Sequence, residues 1–207
     1  MSPCSLKGDV MNLVLTTPPA IEPLGLQDVK DYLRLDDVTD TLEDGYLSAL
    51  ITAAREYCEG FQNRAYITQT WQLSFDDWPS QVIELPKGSL QAIIGVIYKN
   101  SEGVERTLTE NIDYVYSTRG IVGRLTPAKN KTWPPFVPFP LDAVVIEYTC
   151  GYGSVAACVP AKAIQAMRLL VSHWYEHRTP LSETGQAPDE IAFAVSALLH
   201  MDRIIPT

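Results

Sequence analysis

The chain has 207 residues, of which 46% are hydrophobic and 20% charged, a composition typical of a folded globular protein. Its formal net charge is −9 and it has no run of Lys or Arg that would neutralise phosphates, so we predict no tight, passive binding to nucleic acid. No apolar run reaches the roughly 18 residues that a membrane span requires, so we predict no contact with a membrane. The first residues lack the basic and apolar regions of a signal peptide, so we expect synthesis in a cytoplasm.

The first segment, residues 1–20, is predicted to be a flexible arm. Residues 1–10 show no periodicity, and Met11 is a candidate native start. Pro18, Pro19 and Pro23 favour extended backbone, because proline and the residue before it are restricted in conformation.

Four stretches carry apolar side chains at helical spacing. They predict helices at residues 26–35, 47–61 and 160–177, and a last helix that begins after Pro188. Asp40 and Glu43 resemble a helix-capping pair ahead of the second helix. The stripe that we expect to be buried on the third helix consists of Ile164, Met167, Leu170, Val171 and Trp174.

Between the second and third helices the apolar period becomes two, which is typical of half-buried strands. Trp71, Leu73 and Phe75 show this alternation. The predicted strands are residues 68–75, 82–85, 90–99, 104–108, 114–117, 123–125 and 143–149. Residues 129–140 hold Trp133 among several prolines and predict an irregular loop.

These elements predict an α+β fold, a helical bundle of about four helices with an antiparallel β-subdomain inserted between helices 2 and 3. The helices are too short to be stable alone, so those on either side of the insertion must bury their apolar stripes, most simply against each other. The predicted regions are the flexible arm, a helical base at 21–66 and 155–203, a β-subdomain at 67–154 and a C-terminal tail at 204–207.

The sharpest local motif is His173-Trp-Tyr-Glu-His177, which has the H-x-x-E-H spacing of inverted zinc peptidases. A metal-dependent hydrolase that uses His173, Glu176 and His177 is therefore one alternative function. Only thirty residues follow His177 to supply a third ligand, and packing explains the helix fully. We therefore predict no enzyme activity, no metal and no cofactor, with the histidines on the polar face and in the last turn of the helix.

Other candidate sites have plainer interpretations. The stretch Gly151-Tyr-Gly-Ser154 lacks the G-x-S-x-G pattern of a nucleophile turn and predicts a connection from strand to helix. Asp76 and Asp77 are expected to end a strand in a turn. Trp133 is the best candidate for an exposed aromatic contact with a partner, and the alternative is a lid packed over the β-subdomain. A β-rich tail or binding module that uses Trp133 is a second alternative function.

The four cysteines, Cys4, Cys58, Cys150 and Cys158, form no C-x-x-C pair, so neither a zinc ribbon nor a redox motif is indicated. Cys58 lies on the apolar side of its predicted helix and is expected to be a small core residue. The sequence does not decide whether Cys150 and Cys158 form a disulfide, although nothing in it indicates an oxidising compartment.

Three segments together resemble one phage family. Residues 16–36 look like its opening arm and first helix, and residues 53–71 look like its second helix entering the first strand. Tyr148-Thr-Cys-Gly-Tyr-Gly153 and the helix that ends in His-Trp-Tyr-Glu-His-Arg178 look like its passage from strand to helix. The family is that of the tailed-phage head–tail connector proteins, also called adaptor or head-completion proteins and often labelled as possible DNA-packaging proteins.

The resemblance implies a non-enzymatic protein of the virion. It implies a ring, commonly of twelve or thirteen copies, that lies beneath the portal protein, extends the DNA channel and receives the stopper or tail protein. DNA then passes through the channel without sequence-specific binding. The protein is made in the host cytoplasm and becomes part of the head–tail junction.

The C-terminal residues are further candidates for contact with a neighbouring copy or with the portal. Met201, Ile204 and Ile205 join Trp133 as predicted partner-binding residues. Apolar termini with nothing of their own to pack on often dock on a partner.

Overall fold

The computed structural model describes residues 11–35, 41–79, 81–177 and 189–205. It divides into two compact units, each built from two stretches of the chain. The β-unit comprises Met1–Pro18 and Gln69–Cys150, and the helical unit comprises Pro19–Thr68 and Gly151–Thr207. None of the described helices is long and apolar enough to cross a membrane.

The helical unit holds four α-helices among its described residues. They are α1 (Leu26–Leu33), α2 (Asp44–Gln62), α3 (Ala161–Glu176) and α4 (Asp189–His200). One apolar core joins all four helices, with Leu47 and Ile51 from α2, Met167 from α3 and Leu199 from α4 each at most 2% exposed. The prediction that the helices on either side of the insertion bury their stripes against each other is therefore confirmed.

Local sequence explains where these helices begin and end. Helix α3 starts directly after Pro160, whose missing N–H costs nothing at a helix N-terminus. Arg34 and Asn63 adopt left-handed backbone conformations at the ends of α1 and α2, and their N–H groups bond to carbonyls of the last turn. Glu43 occupies the cap position of α2, while the predicted capping residue Asp40 lies outside the described residues.

The β-unit contains eight strands among its described residues. They are β1 (Met11–Thr17), β2 (Gln69–Phe75), β3 (Ile83–Leu85), β4 (Leu90–Lys99), β5 (Glu105–Thr107), β6 (Tyr114–Ser117), β7 (Gly123–Pro127) and β8 (Val144–Cys150). Five form one sheet in the order β1-β2-β8-β4-β5, and three form another in the order β3-β7-β6. All the pairings between these strands are antiparallel.

The predicted α+β class and the antiparallel insertion between α2 and α3 are confirmed. The arm differs from its prediction, because Met11–Thr17 is a strand that pairs with β2 instead of a flexible segment. The rest of the arm before Met11 lies outside the described residues. Strand β1 therefore brings a distant part of the chain into the five-stranded sheet.

The cysteines of the described chain are free thiols, so Cys150 and Cys158 form no disulfide. Cys58 has no exposed surface, as expected for a core residue. Burial, reinforced by the nearby Glu59 carboxylate, raises the pKa of the Cys58 thiol to about 12. This thiol therefore stays protonated and packs as an apolar side chain at neutral pH.

Candidate assembly surfaces

The H-x-x-E-H motif lies at the C-terminal end of α3. The imidazole centroids of His173 and His177 are 4.7 Å apart, and Nδ1 of His177 lies 3.1 Å from the carbonyl oxygen of His173. Glu176 is exposed. Within the described part of the chain, no group of three or more His, Cys, Asp or Glu side chains is placed to hold a metal ion. The motif has the spacing of a metal site but lacks a described third ligand.

Trp133 belongs to a cluster of aromatic side chains in the β-unit. Its ring stacks on Trp78 with centroids 4.5 Å apart and an angle of 7° between the planes. Phe136 meets Trp78 edge-on at 6.2 Å and Tyr98 at 5.1 Å. Trp133 is only 7% exposed, so the interpretation as an exposed aromatic is wrong and the lid alternative describes its packing. Trp78 fixes this loop further, because its indole N–H donates to the carbonyl of Pro134 at 3.2 Å.

Asp76 and Asp77 lie in a bend directly after β2, and each accepts a backbone hydrogen bond. Asp76 accepts the backbone N–H of Asp142 at 2.9 Å, and Asp77 accepts the N–H of Trp78 at 2.8 Å. An open pocket beside the cluster is lined by Asp77, Trp78, Gln81 and residues 133–136. Asp77 is the one ionisable side chain among these lining residues, so they provide no acid–base pair.

The backbone of the C-terminal segment, residues 199–205, is hydrogen-bonded to the end of α2. The side chains of Gln62, Asn63 and Arg64 donate to the carbonyls of Leu199, Ile204 and Asp202, at 2.8, 3.0 and 2.5 Å respectively. The N–H of Ile204 returns a bond to the carbonyl of Gln62 at 2.9 Å. With the backbone held, the side chains of Met201 and Ile205 are 86% and 72% exposed. Ile204 is half-buried.

A buried polar network includes Gln62, one of the three side chains that bond to the C-terminal segment. Arg55 donates to Glu59 at 2.8 Å and to Glu22 at 2.9 Å. The second oxygen of Glu59 accepts the N–H of Tyr66 at 2.7 Å, and the Tyr66 hydroxyl donates to Gln62 at 2.7 Å. Burial alone would lower the pKa of Arg55, but the carboxylates of Glu59 and Glu22 outweigh it and leave that pKa raised. Sequence analysis missed this network, although the i, i+4 spacing of Arg55 and Glu59 on α2 was a visible signal.

Taken together, the described residues show exposed apolar side chains on a fixed backbone and no assembled catalytic group. Comparison with known proteins decides between the remaining function classes. Residues 24–121 match the family of phage gp6-like head-tail connector proteins. The resemblance drawn from the sequence is thereby confirmed. This connector family is a structural one and is not a class of enzymes.

Solved structures of virion necks have the same fold. A chain in the virion of a native gene transfer agent (GTA) particle matches with a TM-score of 0.76 and 23% identity, over 94% of this chain and 96% of that one. A chain in the neck of an empty GTA particle, computed with C6 symmetry, has a TM-score of 0.73 and 24% identity, covering 95% and 96%. A third, from the neck of a native GTA particle computed with C12 symmetry, has a TM-score of 0.69 and 22% identity, covering 95% and 96%.

No curated protein sequence gives a significant match to this chain. The neck structures extend the agreement beyond the segment that matches the connector family, since they cover nearly the whole chain. Family and fold together support a structural connector role. None of the predicted partner-binding residues is tested by these comparisons, so the partner-binding roles of Trp133, Met201, Ile204 and Ile205 stay predictions.

Proposed function

We propose that this protein is a head–tail connector that assembles as a ring under the portal, extends the DNA channel and joins the capsid to the tail. The observation that carries the proposal is the agreement of fold over 94–95% of the chain with chains of GTA virions and necks. The connector family match over residues 24–121 supports the same role. The protein would be made in the host cytoplasm and then enter the virion.

The copy number that we propose is twelve. The sequence resemblance left twelve and thirteen copies open. The GTA necks were computed with C6 and C12 symmetry, and a ring of thirteen has neither symmetry. A closed ring of identical chains needs an interface in which two different surfaces of neighbouring copies meet.

The charge of the chain suits a channel through which DNA must move. With a net charge of −9, each copy as a whole repels the phosphate backbone. DNA would then pass without sequence-specific contacts, and without the dense positive charge that makes binding tight. The portal on one side and the stopper or tail protein on the other are the proposed partners.

The C-terminal segment is the proposed contact with the portal or with a neighbouring copy. Met201 and Ile205 project from a backbone that Gln62, Asn63 and Arg64 hold in place. Because this backbone is already ordered in the separate chain, binding would cost less conformational entropy. Large exposed apolar side chains on such a support are typical of protein–protein contacts.

The proposal is tested by mixing the purified chain with its cognate portal and recording native mass spectra and electron micrographs. We expect a ring of this chain on one end of the portal. The double variant Met201→Asp with Ile205→Asp should bind the portal more weakly, whereas the control Val137→Asp, at a side chain that is 69% exposed in the β-unit, should not. A chain that stays monomeric and unbound beside its portal would contradict the proposed function.

A further inference from the structure

Strand β1 presents a long edge without the usual protection against pairing. It is the outermost strand of the five-stranded sheet, and no strand of the described chain pairs with its outer side. Its seven residues, Met-Asn-Leu-Val-Leu-Thr-Thr, include no charge and no proline. The side chains of Met11, Val14 and Leu15 are 52%, 46% and 39% exposed.

The other sheet edges are protected. At the opposite edge of the same sheet, β5 has only three residues, Glu105–Thr107, and two of them are charged. In the smaller sheet, β3 is three residues long with Glu84 at its centre, and β6 has four residues. Short length and charge are the means by which proteins prevent a sheet edge from pairing with other chains. Strand β1 lacks both, so its edge is suited to pairing.

The hydrogen-bond pattern shows which residues of β1 offer their backbone to a partner. The Thr16 hydroxyl donates to the carbonyl of Thr70 at 3.1 Å, so that carbonyl faces β1. Backbone groups alternate sides along a strand, so Gln72 and Ser74 also face β1. Their partners in the register are Val14 and Asn12, which therefore point inward.

By the same alternation, Leu13 and Leu15 direct their N–H and C=O groups to the outer edge. Leu15 lies just before the point where the β1–β2 register shifts. No strand of the described chain pairs with these outward groups, which are therefore available to a further extended segment or to water. Main-chain bonds of this kind give affinity in strand addition, and the side chains that flank them give specificity.

We propose that a second copy of this chain adds an extended segment to the outer edge of β1 when the connector ring assembles. This inference rests on the proposed function. Because each copy carries a net charge of −9, copies repel one another and an uncharged contact is favoured. Pairing of β1 with another β1 would be self-complementary and would close as a dimer. The neighbour in a ring therefore contributes a segment other than its own β1.

Amide hydrogen exchange of the unaltered chain tests the proposal, with the separate chain compared with the chain assembled on its portal. We expect exchange at the Leu13 and Leu15 amides to slow at least about tenfold on assembly, because they gain acceptors. The Asn12 and Val14 amides, which already face β2, serve as internal controls that are protected in both states. Mass spectrometry with single-residue fragmentation resolves these four amides.

The two hypotheses fail in different ways. Unchanged, fast exchange at Leu13 and Leu15 within an assembled ring would overturn the strand addition and leave the connector role standing. A chain that forms no ring with its portal would overturn the proposed function and the strand addition with it.

A matched pair of variants supplies a second test. Leu15→Pro removes the outward N–H, and Leu15→Ala removes the same leucine side chain but keeps that N–H. We expect Leu15→Pro to raise the protein concentration needed for assembly at least about tenfold relative to Leu15→Ala. Equal assembly of two stably folded variants would overturn the proposal. If thermal melting shows that Leu15→Pro destabilises the separate chain, the exchange measurement decides alone.

Discussion

The Arg55 side chain is only 7% exposed, yet it carries a full charge in the helical unit. It is stabilised by Glu59, itself 9% exposed, and by Glu22, which is 31% exposed. Removing one partner from a buried ion pair leaves a charge without compensation, which costs far more than losing a pair at the surface. The same Glu59 also accepts the N–H of Tyr66, so it links the last turn of α2 to the chain that follows this helix.

Replacing Glu59 should therefore lower stability strongly. We expect Glu59→Ala to reduce the free energy of unfolding by about 3–5 kcal/mol, measured by urea denaturation. Glu56→Ala is the matched control, because Glu56 lies 3.5 Å from the same guanidinium but is 65% exposed. We expect the control to change stability by less than about 1 kcal/mol. Equal losses in the two variants would show that the Glu59 network is not what stabilises this region.

Two buried tyrosines should make the protein sensitive to alkali. Burial raises the pKa of Tyr66 and of Tyr148 above the ordinary value of 10.0. In the unfolded chain these phenols ionise near that ordinary value, whereas in the folded protein they keep their protons. The two tyrosines therefore stabilise the fold fully below about pH 10, and this stabilisation is lost as the pH rises further. We expect these two tyrosines to ionise only together with unfolding, followed by tyrosinate absorbance and circular dichroism. Ionisation of all ten tyrosines while the circular dichroism stays native would contradict this.

At the level of elements, apolar periodicity was sufficient to predict a helix or strand wherever the side chains of one segment face a single core. Strand β4 has the predicted bounds, Leu90–Lys99, and so does β6, Tyr114–Ser117. Helix α3 also lies within its predicted range, but its stripe differs at both ends, where Ile164 and Trp174 are only partly buried. The Trp174 ring meets the exposed Tyr57 edge-on at 6.3 Å, so it lies at the margin of the core.

Elements that depend on distant partners could not be predicted from local pattern. Strand β1 forms because Leu13 pairs with Leu73, sixty residues further along the chain, and nothing near residue 13 indicates that partner. The exposure of Trp133 was predicted wrongly for a similar reason. A proline-rich loop suggests exposure, whereas its stacking partner Trp78 lies in a separate turn.

The connection from β8 to α3 depends on a glycine, as the sequence predicted. Gly151 has φ of +132°, and a Cβ there would lie 2.7 Å from the carbonyl oxygen of Ile67. We expect Gly151→Ala to lower the free energy of unfolding by about 1–3 kcal/mol or more, measured by chemical denaturation. Gly95→Ala is the control, since a Cβ on Gly95 in β4 meets no atom within 4 Å. A Gly151→Ala variant as stable as the control would refute the steric argument.

For the whole molecule, the sequence indicated the fold class and the connector family but only part of the contact surface that we propose. Met201 and Ile205 are exposed as a partner contact requires. The β1 edge was missed, because a strand that forms by pairing with a distant segment leaves no clear signal in its own residues. The net charge of −9 is the property of the whole chain that bears most directly on assembly, since it favours contacts between copies at uncharged surfaces such as β1.

The most direct measurement of the connector role is a reconstruction of the neck of the virion that contains this chain. We expect density between the portal and the tail that fits the helical unit and the β-unit, repeated twelve times around the DNA channel. Density at that position that fits neither unit, in particles shown by mass spectrometry to contain the chain, would contradict the connector role.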